Sequence, residues 1–176
     1  MLNDGYTPLE IYNSGIPLSS IYGKFYQGGL ITYLNTTTGN GLIAASIDQA
    51  ATTNWGCSTV LMGASGTAIG TGAQNTILIE AGCTTAGIAT DVCANLNLNG
   101  YSDWFLPSKD ELFELYQNLY IYGIGGIRDN VYWSSSESNA SSAWAWSMKF
   151  GEGSGLTPKN SGFGTEPISV RAVRAF

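Results

Sequence analysis

Between Gly100 and Leu112 the chain reads GYSDWFLPSKDEL, and this stretch fixes a boundary that any fold of the chain must respect. Pro107 precedes Ser108, whose hydroxyl suits a helix N-cap, and Glu111 three residues on completes a capping box. Asp110 and Glu111 also place negative charge in the first turn, where it complements the helix dipole. Leu112, Leu115, Tyr116 and Leu119 then recur at helical spacing while Lys109, Asp110 and Gln117 face away. The pattern predicts an amphipathic helix from Ser108 to about Tyr122.

The same thirteen residues hold a serine beside a lysine, three carboxylates and a tryptophan, in a chain of which 11% is charged. As sequence neighbours, Ser108 and Lys109 diverge on a helix, so they do not form the contact a Ser/Lys dyad needs. Asp103 and Glu111 have the residue types of a glycosidase acid and base, with Trp104 beside one of them. The alternative is structural: the closing segment SVRAVRAF supplies Arg171 and Arg174, and a buried carboxylate needs a cationic partner. The preferred reading is a clamp of Asp103, Trp104, Glu111, Arg171 and Arg174 between this helix and the last strand.

On either side of the helix the chain reads as strands and turns. Twenty-three glycines with many Ser, Thr and Asn favour tight turns. GGLITYLN and GLIAASI, separated by TTTGNG, predict a β-hairpin. The Gly-rich stretch WGCSTVLMGASGTAIGTG lacks both GxGxxG and GK[ST], so it reads as a loop and not a phosphate cradle. A first helical region follows in AQNTILIEAG and AGIATDVCANLNLNG, with Ile88, Val92, Cys93 and Leu96 at helical spacing. VYWSSSE, SAWAWSMKF, a short piece near GLTPKN and the terminal ISVRAVRAF read as strands, which makes the order α+β. Residues 1–22 form two copies of a capped helical turn, GYTPLEIYNSG and GIPLSSIYG, expected to be a leader joining a stalk to a domain over 23–176.

Charge and composition exclude several classes. Seven Lys and Arg against thirteen Asp and Glu give −6, and no two basic residues are adjacent, so neither nucleic acid nor an anionic membrane is an expected partner. No apolar run is long enough to insert into a membrane. Histidine is absent, which removes Ser-His-Asp and Cys-His catalysis. Cys57, Cys83 and Cys93 contain no CxxC pair, so no metal or other cofactor is expected. One disulfide and one buried thiol are expected in an oxidising compartment. Cys83–Cys93 is the first choice, since it closes a short loop, although spacing leaves the pairing open.

Seven motifs occur in an order that resembles one family: YQGGLITYLN, GLIAASIDQAATTNWG, IGTGAQNT, GYSDWFLPSKDEL, YWSSSE, the Trp-rich strand ending at Phe150, and VRAVRAF. They resemble the domain at the C-terminus of the Legionella collagen-like adhesin, which recurs in bacterial surface and phage fibre proteins. More distantly, LPSKDELFELY and the Arg-bearing terminal strand are similar to sulfatase-modifying and C-type lectin-like folds. The resemblance implies a C-type lectin-like fold, α+β, with two helices on antiparallel sheets and long irregular loops. It also implies a homotrimer on a bacterial surface or in a phage tail fibre. The late cysteines of the sulfatase-modifying enzymes and the Glu-Pro-Asn and Trp-Asn-Asp calcium signatures are missing, so neither that activity nor calcium-dependent sugar binding carries over.

In such folds the C-terminal half makes the recognition face. Here that half contains SSSESNASSAWAW and GEGSGLTPKNSGFGTE, where small polar residues flank rigid aromatics, as recognition surfaces require. The candidate ligand residues are Glu137, Asn139, Trp144, Trp146, Lys159, Asn160 and Phe163. Trp133, Trp144 and Trp146 have core filling as their alternative. Asn35 and Asn139 also lie in N-x-[ST] sequons. The expected function is non-enzymatic adhesion to a cell-surface glycan or protein receptor; the alternative is a structural module that caps and trimerises a fibre.

Overall fold

The computed structural model describes residues 2, 5–138, 143–163 and 167–176. Thr7 opens helix α1 (Pro8–Asn13) with a capping box: the Glu10 amide donates to Thr7 Oγ1, and the Thr7 amide donates to the Glu10 carboxylate at 2.8 Å. Helix α2 (Leu18–Ile21) follows. Ile11 and Ile21 are buried in the same apolar cluster as residues of the main body.

Two four-stranded sheets carry the fold. In the first, β1 (Phe25–Tyr26), β2 (Gly29–Leu34), β3 (Gly41–Ala44) and β8 (Val173–Ala175) are neighbours in that order, all antiparallel. In the second the order is β6 (Gly153–Pro158), β5 (Trp144–Lys149), β4 (Val131–Glu137) and β7 (Ile168–Ser169), antiparallel except for the parallel pair β4 and β7. The expected hairpin is β2 and β3. The terminal ISVRAVRAF is not one strand: Ile168–Ser169 joins the second sheet and Val173–Ala175 the first, with Arg171 buried between them. The fold is α+β, with three helices between the sheets in sequence: α3 (Gly72–Gly82), α4 (Ala89–Ala94) and α5 (Lys109–Asn118). Among the described residues that is three helices after residue 23 against the two expected, because the first expected helical region divides into α3 and α4, while α1 and α2 are the two expected helical turns.

Helix α5 begins where its capping box requires. Ser108 Oγ accepts from the Glu111 amide at 3.3 Å, and Glu111 Oε2 accepts from the Ser108 amide at 2.7 Å. The helix ends earlier than the apolar pattern suggests and continues as a 3-10 turn over Tyr120–Tyr122, closed by Gly123 at φ +67°. Leu112, Leu115 and Leu119 are wholly buried against Tyr132 and Met148 of the second sheet and Phe150 just after β5. Each such leucine contributes about 1.5–3 kcal/mol. A second apolar cluster lies around Ile31, Ile43, Trp55, Ile79, Trp104 and Trp133. Trp133 is a core residue, with Nε1 donating to the Thr53 carbonyl at 2.8 Å.

The cysteine pairing differs from the expected one. Cys57 and Cys83 form the disulfide, with Cα atoms 5.6 Å apart, and Cys93 is the free, buried thiol. Cys83 caps the end of α3 and meets the 45–71 loop, whereas Cys93 is buried on α4, so the short sequence interval does not bring those two sulfurs together. Burial pushes the Cys93 thiol pKa far up.

Candidate functional site

The alternation of β5 divides its side chains between two faces. Ala145 is buried in the cluster around Trp133, while Met148 is buried against α5. Trp144 and Trp146 share the Met148 face. They lie beyond the end of the leucine packing, so Trp144 is 39% exposed and Trp146 half-buried. Opposite them on β6 stand Pro158 and Leu156, and Leu156 is also exposed.

Helix α5 supplies the other wall. Lys109 Nζ sits 4.9 Å above the Trp146 ring, a cation–π contact. One turn on is Phe113, 45% exposed, whose ring centre lies 6.0 Å from that of Tyr116. Tyr116 in turn packs on Tyr120 and on Phe150, at 5.7 and 5.6 Å. Between this row and the β5–β6 turn is a concavity of about 280 Å³, bounded by Phe113, Tyr116, Met148 and the turn residues 149 and 151–154. The Lys149–Glu152 ion pair, 2.9 Å across, stands at its rim. The surface therefore combines aromatic faces, one cation over a ring and a paired cation and anion.

Other candidate residues have different surroundings. Glu137 and Lys159 are buried and are not part of a ligand surface. Lys159 Nζ is 2.5 Å from Glu137 Oε1, donates to the Val60 carbonyl at 3.0 Å and lies 4.6 Å above the Trp55 ring. Glu137 Oε2 also accepts from the Met62 and Gly63 amides, both at 2.9 Å. The pair joins β4 and the end of β6 to the Gly-rich loop. Asn160 is exposed in the turn after β6. Asn139 and the Phe163 side chain lie outside the described residues.

The expected clamp separates into different pairs. Glu111 faces neither arginine: besides the Ser108 amide it accepts from the Gly70 amide at 2.8 Å. Burial raises its carboxyl pKa, opposed by the amides of Ser108, Gly70 and Gly72. Arg171 instead holds Asp48, with Nε and Nη2 at 2.8 and 2.7 Å from Oδ1, and donates to the Ala45 and Gly125 carbonyls. Tyr132 donates to Asp48 Oδ2 at 3.1 Å, and burial pushes the Tyr132 hydroxyl up to about 12. Arg174 pairs with Asp103 and lies 4.0 Å over the Tyr101 ring. Trp104 is buried, its Nε1 donating to the Tyr101 carbonyl. Asp103 and Glu111 thus have separate partners.

Of the residues on this face, Trp144 and Trp146 are the candidates named from the sequence; Phe113, Lys109 and Leu156 join them in the structure. The available signal was the helical spacing of Lys109, Phe113, Tyr116 and Tyr120, a polar-aromatic line beside the leucine stripe. Among the described residues no group of three or more Cys, Asp or Glu gathers to hold a metal ion, and no helix is long and apolar enough to cross a membrane. The model of the Lcl C-terminal domain family matches residues 45–174. No curated protein matches the chain significantly.

Proposed function

The chain belongs to the Lcl C-terminal domain family, an adhesin-associated family with a surface-exposed setting, and from that membership we propose that it is a non-enzymatic adhesive domain. It binds a cell-surface glycan or protein receptor through the face shared by α5, β5 and β6. The observation that carries this reading is the exposure of Trp144, Leu156 and Phe113 along one face, continuous with the half-buried Trp146 and Tyr116. Clustered exposed aromatics mark interaction surfaces, and tryptophan presents a large rigid area at low entropic cost. The Cys57–Cys83 disulfide suits the oxidising environment of a surface or virion protein. A C-type lectin-like fold and a trimer belong to the same proposal, as does display on a bacterial surface or phage tail fibre.

The test compares Trp144→Ala and Trp146→Ala with the parent chain in a glycan and cell-surface binding screen, with mass in solution measured alongside. Attachment is expected to fall at unchanged melting temperature for Trp144→Ala. Unchanged attachment by both variants sinks the adhesive reading; if the chain is then found to be a stable trimer, a fibre-capping module takes its place.

A further inference from the structure

We infer that the outer edge of β6 is a docking site for an extended segment of a protein receptor, one with apolar side chains at alternate positions and a net positive charge. This step rests on the adhesive reading above and takes its protein branch. Each sheet has two outer strands, and an outer strand exposes a row of unpaired N–H and C=O groups unless something guards it. Three of the four are guarded. β1 and β7 are two residues long, and β8 is three, with Val173 bonded on its outer side to Phe105. β6 is six residues long, carries no charged side chain and pairs with β5 without a bulge. Among the described residues no strand lies on its other side.

The register shows which backbone groups are free. The Lys159 amide donates to the Ala143 carbonyl directly opposite, at 2.9 Å. In an antiparallel ladder bonded and non-bonded pairs alternate, so Thr157, Gly155 and Gly153 bond inward to β5. Ser154, Leu156 and Pro158 turn their backbone groups outward. Pro158 fits that assignment, since an edge strand tolerates proline where the missing N–H would face solvent. Ser154 and Leu156 thus offer two donors and two acceptors, with the Pro158 carbonyl beyond them. An extended backbone is the partner that matches donors and acceptors repeating at strand spacing.

Side chains and charge narrow the partner further. Residues of an added strand that bond to Ser154 and Leu156 stand opposite them, with their side chains on the same face. On that face Leu156 is 44% exposed beside Trp146, and Pro158 stands beside Trp144, so the bonding residues are the apolar ones. On the other face nothing lies within 4 Å of where a Cβ would stand on Gly155, which leaves room for the intervening side chains. A second copy of the chain would set −6 against −6, whereas a basic segment is attracted.

The test is amide–water exchange of the ¹⁵N-labelled chain with a short peptide in which valine and threonine alternate between terminal lysines. The peptide is expected to slow exchange at Ser154 and Leu156. Methylating its valine nitrogens should abolish binding, and methylating its threonine nitrogens, which point away from β6, should leave it. Leu156→Pro removes one outward N–H but no bond to β5, and should weaken binding about three- to tenfold. Leu156→Lys keeps the whole backbone, guards the edge with a charge and should weaken binding as well. The site is overturned by unchanged exchange at both amides, by equal binding of the two methylated peptides, or by tighter binding of a glutamate-ended peptide. A self-associated free chain in which both amides already exchange slowly overturns it too, because a second copy then holds the edge. In each of these cases attachment to cells that still depends on Trp144 and Trp146 keeps the adhesive reading. Slowing by the peptide, with attachment indifferent to both tryptophans, overturns that wider reading and leaves the β6 site.

Discussion

Lys159 and Glu137 show how little a residue's type reveals of its employment. Both have the chemistry of ligand contacts, yet they form a buried ion pair closed by the Met62 and Gly63 amides and the Val60 carbonyl. Such a pair costs much to bury and more to break, because removing one partner strands the other. Lys159→Met should therefore destabilise the chain by about 3–5 kcal/mol, read as a lower urea midpoint. Adding Glu137→Gln should recover part of the loss, since the amide oxygen still accepts from the loop. A ligand contact would instead lower attachment and leave the midpoint alone. Glu80 on α3 gives a pH signature. Its buried Oε1 has no hydrogen-bond partner, and burial followed by the neighbouring Asp91 raises its pKa, partly offset by Thr90. A raised native pKa means that the folded state holds the proton more firmly than the unfolded one. The associated stability is complete below the unfolded value of about 4.3 and is lost as pH rises through the native value. Melting curves should show the Tm of Glu80→Gln gaining on the parent between pH 4 and pH 7; a constant offset would refute the assignment.

The helices show which local signals survive packing. The capping boxes at Thr7–Glu10 and Ser108–Glu111 form as read, because each needs only residues three apart and a hydroxyl and carboxylate able to reach back. The second box is also a tertiary joint: Glu111 collects the Gly70 amide, and α3 starts against it. A Cβ on Gly72 would collide with the Glu111 carboxylate and lie 2.8 Å from the Ser108 nitrogen and 2.9 Å from the Leu106 oxygen. The glycine-rich stretch before α3 thus serves close approach of two helix starts, which explains why it resembles a phosphate loop without the motif. Gly72→Ala should cost about 1–3 kcal/mol by overpacking, although alanine is the better helix former by about 1 kcal/mol. Chemical denaturation measures the sign, and a gain would show that the joint is loose. Less legible were the ends: α4 stops at Ala94 although Leu96 continues the apolar spacing, and the terminal segment divides between two sheets. Both depend on what packs alongside, and apolar periodicity alone does not record that.

At the scale of the molecule, the 45–71 loop ties the parts together. It is fixed by the Cys57–Cys83 bond to α3, by the Met62 and Gly63 amides to Glu137 on β4, and by the Trp55 amide to the Lys159 carbonyl. Chain-entropy reasoning gives the disulfide about 3–4 kcal/mol for a loop of this size. A Cys57→Ser/Cys83→Ser variant should melt lower by that amount, with Trp133 and Trp55 fluorescence reporting the change; an unchanged Tm would mean that the loop is held without the bond. Helices α1 and α2 close on the same body through Ile11 and Ile21. From the sequence alone came the α+β order, the capped starts of α1 and α5, the β2–β3 hairpin and the absence of histidine. These rest on neighbours in the chain. The partners of the buried charges came only with the tertiary structure: Arg171 with Asp48, 123 residues apart, Arg174 with Asp103, Lys159 with Glu137, and Cys57 with Cys83. So did the joining of Trp146 to Lys109 and of Phe113 to the β5–β6 turn. A sequence fixes which groups need a partner once water is removed; which partner each receives is set by how the sheets and α5 close around it.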